Sequence, residues 1–449
     1  MVMDMNIQLF FILIGLLGLS YVWIGKKASS NLKSNDDYFL MGRGLKLIPL
    51  SLTLLATQLG GGTLLGAAEE AYSKGWIVLF YPLGVCIGLI ILGLGYGKKL
   101  RSLGVSTMAE IFEKAYGSKT QRLAASALSI FALFFLLIAQ AIASKKFFLS
   151  IGVDSSWIFT LFWGVLVLYT VMGGFKAVVN TDILQVLFIM VTLGVSFFLT
   201  KMPEITEIYA PVSSATLDVP WMSWLLMPLL FMLIEQDMAQ RCFATKNAKS
   251  IKMGSISAGL LLFLGSSVAI LYGTLARKYG IVVPEGSSAL IEAIKAFTNP
   301  TITTFFMCAV ILAIVSTADS LLCSISSNIS CDFLSRIDTK ENSKLMLSRL
   351  ITLFTGVFAL IGASYFTNIV GVMMLSYELS VSVLFVPTIL ALFSRNPSKM
   401  GSAFAMGLGG IGFILFRVYE VGIPRELLAL TFSYLGYLVG EKVLIFKRA

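Results

Sequence analysis

Six acidic residues lie within strongly apolar stretches of this 449-residue chain: Glu69, Asp182, Glu235, Asp237, Asp319 and Glu378. A carboxylate inside a membrane is costly and generally faces a cavity or a partner. No Lys or Arg lies deep in these stretches, so we expect the acids to lack basic partners and to mark a pathway for a cation. The chain has no histidine, which excludes histidine proton relays, His-ligated zinc and Ser-His catalysis.

Three consecutive glycines, residues 60–62, interrupt the second apolar stretch between Gln58 and Thr63. Glycine is a poor helix former, so this run predicts a break that frees backbone carbonyls at membrane depth. Unwound backbone is tolerated there when it lines a cavity, and transporters use it to hold ions and solutes. The alternative is close helix packing through small residues. The seventh apolar stretch has a matching interruption at Glu235-Gln236-Asp237.

One face of the ninth apolar stretch carries hydroxyl groups. Residues three and four apart share a helix face, so Ala313, Ser316 and Thr317 align. If this face meets the carbonyls freed in the second stretch, the oxygens form a shell suited to a hard cation. The alternative is that each hydroxyl bonds back to its own helix.

Apolar residues make up 57% of the chain and charged residues only 13%, against about 25% charged in soluble domains. This composition predicts an all-α polytopic membrane protein. A spanning helix needs about 20 apolar residues, and about thirteen stretches qualify. Their extents are 6–25, 47–68, 76–97, 123–143, 156–174, 180–200, 221–240, 253–276, 301–330, 348–366, 367–394, 400–418 and 425–446.

The basic residues divide unequally between the two sets of connecting loops. One set, which includes the loop 241–252 and the tail from Lys442, holds 25 of the 34, and the other set holds nine. The positive-inside rule assigns the richer set to the cytoplasm, so the N-terminus is outside and the C-terminus is cytoplasmic. The net charge of +10 therefore reflects topology, and we expect no nucleic-acid partner.

The two interrupted stretches each open a group of five spans, the second to sixth and the seventh to eleventh. Because each group has an odd number of spans, the first helices of the two groups cross the membrane in opposite directions. This is the pattern of an inverted repeat. We predict one transmembrane domain over 1–449. It comprises an extra N-terminal helix and cytoplasmic loop (1–46), a first repeat (47–200), an inverted second repeat (221–394) and two C-terminal helices (400–449).

These features resemble the sodium:solute symporter family, which has the LeuT-type five-plus-five fold. The resemblance covers residues 25–400 and includes the segment 173–185, GGFKAVVNTDILQ. The branch that contains the high-affinity choline transporters is most similar, through Gly60-Gly61-Gly62, Gln240-Arg241 and Ser316-Thr317-Ala318-Asp319-Ser320.

The resemblance implies a sodium site at five positions of this chain. The site would use the backbone carbonyls of Ala56, Leu59 and Ala313 and the hydroxyls of Ser316 and Thr317. The family also places an acidic residue close to sodium, here Asp182. Some members hold a second sodium at the positions of Asp319 and Ser320. We therefore assign Asp182, Asp319 and Ser320 to a second cation, and the number of sodium ions stays open.

The solute site departs from the choline pattern. Quaternary ammonium recognition needs aromatic faces, but Gln58, Phe135 and Glu235 stand where the choline transporter has tryptophans. With Asp237 nearby, the carboxylates suit an amine that donates hydrogen bonds. A cationic or zwitterionic organic amine is therefore the expected solute. Three further residues are assigned to the solute site: Gly61, Thr63 and Tyr377. Phe135, Phe80 and Tyr377 are expected as apolar lining.

We predict sodium-coupled import of a small solute by alternating access, in an integral membrane protein of a bacterial inner membrane. The expected partners are the solute, sodium and the lipid bilayer. One alternative is a proton-coupled transporter that titrates Asp319, Asp182 or Glu235. Another is a sodium symporter for a sugar, a carboxylate or a neutral amino acid. A channel is disfavoured by the interrupted helices, and an enzyme by the lack of a nucleophile or metal constellation.

Overall fold

The computed structural model describes residues 6–30, 32–201, 220–334, 341–419 and 424–446. These residues form α-helices joined by short 3₁₀ and π turns, with one isolated β-bridge between Leu45 and Thr245. The predicted all-α class is confirmed. The helices are α1 (Ile7–Ser29), α2 (Asn35–Leu40), α3 (Leu47–Gln58), α4 (Ala67–Lys74), α5 (Phe80–Ile91), α6 (Gly97–Ser102), α7 (Glu110–Tyr116), α8 (Lys119–Ser150), α9 (Ser156–Leu199), α10 (Trp221–Phe231), α11 (Gln236–Ala244), α12 (Ala248–Lys278), α13 (Ala289–Phe297), α14 (Pro300–Asn328), α15 (Glu341–Gly362), α16 (Ile369–Ser380), α17 (Val386–Phe393), α18 (Lys399–Val418) and α19 (Arg425–Phe446).

Ten helical segments within the described ranges are long and apolar enough to cross a membrane, and α3 is a shorter apolar helix. The two longest segments, 41 and 44 residues, each include parts of two predicted spans. In the 44-residue helix α9, the boundary falls at Gly174, whose φ of 56° interrupts the helical geometry. A Cβ at this position would collide with Tyr38, so both the conformation and the space require glycine. The count of thirteen spans stays a prediction.

The first helix break lies between α3 and α4, as the glycine run predicts. α3 ends at Gln58, and Leu59 leaves the helical region with ψ at 58°. Helical geometry resumes in the π turn Gly62–Gly66, which leads into α4. The glycines also allow close packing, because a Cβ on Gly60 would collide with the Thr317 side chain. Both interpretations of the glycine run are therefore correct: it breaks the helix, and it allows α14 to pack closely against the break.

The second break lies between α10 and α11, and this prediction is also confirmed. α10 ends at Phe231, and α11 begins at Gln236. Glu235 precedes α11 as its N-cap in an extended conformation, with φ −70° and ψ 133°. Its backbone N–H donates to the Phe231 carbonyl at 2.9 Å. The break therefore places a carboxylate-bearing residue at membrane depth without leaving this backbone group unpaired.

Helix α14 is the central element that faces both breaks. Of its most apolar 18-residue window, 94% is buried within the protein. It contacts α3, α8, α9 and α11. Surrounded in this way, α14 presents its hydroxyl-bearing residues to protein atoms and not to lipid, which lets them take part in a polar site.

Candidate functional site

The hydroxyl groups of α14 lie directly against the carbonyls at the end of α3. Ser316 Oγ donates to the Ala56 carbonyl at 2.9 Å and is 3.0 Å from the Ala313 carbonyl. Thr317 Oγ1 donates to the Thr57 carbonyl at 2.9 Å and lies 3.5 Å from the Ala56 carbonyl. Four of the five residues predicted for sodium thus meet at one place, and all of their converging atoms are oxygens.

This oxygen cluster has the chemistry of a hard-cation site. Carbonyl and hydroxyl oxygens are the ligands that such ions take in proteins, and the oxygens come from both the broken helix and α14. The fifth predicted ligand, Leu59, is buried in the break immediately after α3, and its side chain points toward Gly265 of α12. The residues present therefore fit a sodium ion, which would tie α3 to α14.

The residues predicted for a second cation lie one helical turn further along α14 and on α9. Ser320 Oγ donates to the Ser316 carbonyl at 2.8 Å and pairs with Thr57 Oγ1 at 3.0 Å. Asp319 accepts a hydrogen bond from Tyr169. Asp182 accepts one from Thr53 Oγ1 at 2.5 Å. Asp182, Asp319 and Ser320 are all buried beside the oxygen cluster.

A small central cavity lies between the two helix breaks and α14. Six residues predicted for the solute or for sodium contribute to its wall: Gln58, Thr63, Glu235, Asp237, Thr317 and Tyr377. The space holds about one water molecule. An organic solute needs more space than this cavity provides.

Two carboxyl groups and two amides lie among the polar groups of this cavity. Gln58 Nε2 donates to Glu235 Oε2 at 3.3 Å, and Glu235 adjoins Asp237. Asp237 Oδ1 accepts from the Met238 N–H, but Asp237 Oδ2 is buried without a hydrogen-bond partner. On the other side, Gln140 Oε1 accepts from the Gly61 N–H at 2.9 Å, while Gln140 Nε2 has no partner. The adjoining carboxyl groups of Glu235 and Asp237 therefore offer acceptor oxygens, and Gln140 Nε2 offers a free donor.

Three residues predicted for the solute site or its apolar lining lie outside the cavity wall. Phe135 packs edge-on against Phe131 and Phe366, while the next residue of α8, Leu136, lines the cavity. Gly61 lies behind the wall, where it contacts Gln140. Phe80 packs on Trp221, with ring centroids 5.2 Å apart.

Seven further residues line the cavity and were not predicted from the sequence to do so: Thr57, Gly60, Gly62, Leu136, Gln140, Leu321 and Met373. Gln140 carried a usable signal, because it is a lone amide in the apolar stretch 123–143. Leu136 lies one turn before Gln140, so the two residues share a helix face.

The expectation that the interior acids lack basic partners is wrong for three of the six. Lys146 Nζ lies 2.8 Å from Glu69, and Arg241 Nη2 lies 3.6 Å from Asp182. Glu378 pairs with two arginines of the C-terminal helices. Arg241, which the sequence placed in a cytoplasmic loop, is inside α11 and fully buried. The partners were missed because each pair joins elements that are distant in sequence.

Comparisons with known proteins agree with this geometry. Residues 38–410 match the sodium:solute symporter family. The high affinity choline transporter 1 of Homo sapiens is 27% identical over 460 aligned positions, which cover 96% of this chain and 78% of that protein. The sodium/glucose cotransporter 1 of Oryctolagus cuniculus is 24% identical, over 78% of this chain and 61% of that protein.

Solved structures show the same fold. A Na⁺-coupled sialic acid symporter in a substrate-bound outward-open state is similar with a TM-score of 0.78 at 17% identity, over 96% of this chain and 97% of that one. A nucleobase-cation-symport-1 family transporter in a closed conformation gives a TM-score of 0.62 at 12% identity, over 91% and 94%. The predicted LeuT-type fold is confirmed.

The family match spans most of the chain, and the oxygen cluster and the two broken helices lie within it. The chain is a transporter and not an enzyme, its apolar helices make it an integral membrane protein, and sodium is its coupling ion. It belongs to the sodium:solute symporter family and carries a small solute together with sodium.

Proposed function

We propose that this symporter imports a small amine-bearing solute, cationic or zwitterionic, by alternating access. The observation that carries the proposal is the pair of adjacent carboxyl groups, Glu235 and Asp237, on the wall of the central cavity. Asp237 is 1% exposed and keeps one carboxyl oxygen unpartnered. A buried acceptor without a donor is costly, so a solute that brings N–H groups would gain hydrogen bonds to this carboxyl group.

The free donor of Gln140 supports a solute with a second polar end. Gln140 is fully buried, and its Nε2 has no partner. An amino group on the Asp237 side and a hydroxyl or carboxylate on the Gln140 side would satisfy both free groups. Of the lining residues that the structure describes, Tyr377 alone is aromatic. This favours an amine with N–H donors over a quaternary ammonium, which needs aromatic faces.

Sodium is the ion whose transport is coupled to that of the solute. An ion held by Ala56, Ala313, Ser316 and Thr317 would hold the broken helix against α14 and so shape the cavity wall to which Gln58 and Thr317 contribute. One positive charge that moves inward through 100 mV contributes about 2.3 kcal/mol. At about 1.4 kcal/mol per tenfold, this supports roughly 50-fold accumulation per sodium before the sodium gradient is counted.

The decisive experiment is a thermal-shift screen of the purified protein with amines, amino acids, sugars and carboxylates, each with and without sodium. An amine-bearing compound that stabilises the protein only in sodium is the expected result. A sugar or a carboxylate without an amino group as the sole sodium-dependent hit would overturn the solute class. Proton coupling instead of sodium coupling would appear as stabilisation that depends on pH and not on sodium.

We propose the predicted topology for a bacterial inner membrane, with the N-terminus outside, the C-terminus cytoplasmic and repeats over 47–200 and 221–394. Removing the buried Arg241 from the cytoplasmic set still leaves 24 basic residues against nine, so the charge bias is nearly unchanged. A C-terminal fluorescent protein should fluoresce, whereas alkaline phosphatase at the same position should be inactive. The opposite pattern would reverse the topology.

A further inference from the structure

The Arg241 guanidinium is a fully buried charge that joins four helices. From α11, its Nε lies 3.1 Å from Thr53 Oγ1 on α3, and its Nη2 lies 2.7 Å from Ser320 Oγ on α14. The same Nη2 lies 3.6 Å from Asp182 Oδ2 on α9. Its planar face lies 5.4 Å from the ring centre of Phe175, also on α9.

Burial of an arginine is costly unless its charge is paired and its N–H groups are hydrogen-bonded. These contacts meet that need: Nη1 donates to the Asp237 carbonyl at 3.0 Å, and Nε also reaches the Thr53 carbonyl at 3.3 Å. The planar fork of donors fixes where each partner must lie. If α3 or α14 moved away from α11, the guanidinium would lose several partners together.

The network lies one helical turn from the oxygen cluster, on the side of the α3 N-terminus. Thr53 precedes Thr57 by four residues, and Ser320 follows Ser316 by four. On this same side, the backbone of Leu45 pairs with Ala244 and Lys246. In the proposed topology, this side faces the cytoplasm.

We infer that Arg241 is a positioning residue that latches the cytoplasmic side of the sodium site. Its contacts hold α3, α9 and α14 together, so sodium and solute leave toward the cytoplasm only after these contacts separate. The inference rests on the proposed inward direction of transport. It does not depend on which solute is carried.

Three native cysteines can be used to detect separation of the Arg241 contacts. Cys242 follows Arg241 directly, and Cys323 contacts Gln240 through its sulfur at 3.8 Å. Cys308 lies on the opposite side of the oxygen cluster, five residues before Ala313 on α14. All three are free and buried at 0–1% exposure. Cys308 is therefore an internal control for general loosening of the fold.

The experiment measures N-ethylmaleimide modification of each cysteine by peptide mass spectrometry on the purified full-length chain in sodium. Arg241→Gln should raise the modification rates of Cys242 and Cys323 at least tenfold and leave Cys308 unchanged, with Arg241→Lys intermediate. Ser320→Ala, which removes one partner and keeps the charge, should give a smaller rise at the same two cysteines. This second variant keeps the test valid if Arg241→Gln fails to fold.

Unchanged rates at Cys242 and Cys323 in both variants, or an equal rise at Cys308, would overturn the latch. An impermeant maleimide added to intact cells separates this outcome from a wrong topology. If it reached Cys242 and Cys323 of the Arg241→Gln variant from outside, the direction in the proposed function would be wrong while the latch itself stood.

Discussion

Gln58 Nε2 lies 3.3 Å from Glu235 Oε2, so a hydrogen bond joins the two helix breaks directly. Gln58 is the last residue of α3, and Glu235 is the N-cap of α11. Both side chains line the central cavity. A change in either break would therefore be transmitted to the wall of the proposed solute site, which would give sodium binding at α3 a route to that site.

Thr317→Ala should weaken sodium binding. The substitution removes a hydroxyl that lies 2.9 Å from the Thr57 carbonyl and faces the oxygen cluster. A hydrogen bond or ligand that involves a charge is worth about 1.5–3 kcal/mol, which corresponds to roughly a 10- to 100-fold loss of affinity. Sodium titration of the thermal-shift midpoint measures it. Thr355→Ala is the control, because Thr355 is equally buried and bonds to the Ile351 carbonyl of its own helix. Equal sodium affinity in both variants would remove Thr317 from the site.

Asp237→Asn should raise the KM for the transported amine at least tenfold while sodium alone still stabilises the protein. The change removes the negative charge that faces the cavity but keeps the size of the side chain. Glu292→Gln is the control, since Glu292 pairs with Lys295 on α13, away from the cavity. Uptake assays in proteoliposomes give the KM. An unchanged KM in both Asp237→Asn and Glu235→Gln would refute the amine assignment.

Leu136→Ala should change solute affinity, and Phe135→Ala should not. The two residues are adjacent on α8, but only Leu136 lines the cavity, whereas Phe135 packs between Phe131 and Phe366. Removing the Leu136 side chain enlarges a cavity that holds about one water molecule, so larger amines should gain affinity relative to smaller ones. Competition of an amine series against radiolabelled uptake measures this selectivity. A larger effect from Phe135→Ala would show that Phe135, and not Leu136, lies next to the bound solute.

Gly62→Ala should lower the transport rate at least tenfold, and Met373→Ala in the same chain should restore much of it. A Cβ on Gly62 would overlap the Met373 sulfur, and Met373 lies on the cavity wall. Removing that sulfur makes room for the added methyl group, so the two effects should be strongly non-additive. Gly164→Ala is the control, because no atom lies within 4 Å of its Cβ position. Purely additive losses would show that the glycine serves backbone flexibility instead of space.

Replacing both Arg417 and Arg425 with Gln should destabilise the protein more than Glu378→Gln does. Glu378 is 4% exposed and lies 3.1 Å from Arg417 and 2.9 Å from Arg425. Losing both arginines leaves a buried carboxylate unpaired, which is costly, whereas the two partly exposed arginines can be hydrated. Adding Glu378→Gln to the double variant should therefore raise the melting temperature again. A further fall in the triple variant would assign Glu378 another essential contact.

Hydropathy and local residue type were sufficient to predict the helices of this protein and the two helix breaks. The apolar stretches locate the helices, and the glycine run and the Glu235-Gln236-Asp237 interruption locate both breaks, because glycine and polar residues are unfavourable within a membrane helix. The spacing of Ala313, Ser316 and Thr317 fixes a shared face. These features depend on neighbours along the chain, so the sequence alone is sufficient to predict them.

Only the tertiary structure decided which side chains meet. Phe135 and Leu136 are equally apolar, and a helix surrounded by lipid and protein shows no polarity pattern that tells its cavity face from its outer face. Arg241 looked like a loop residue because it follows an apolar stretch and precedes three lysines. Its partners Asp182 and Ser320 lie 59 and 79 residues away along the chain. Burial of that charge is favourable only once the packing of α3, α9 and α14 brings those partners to it, and packing between distant segments leaves no local mark in the sequence.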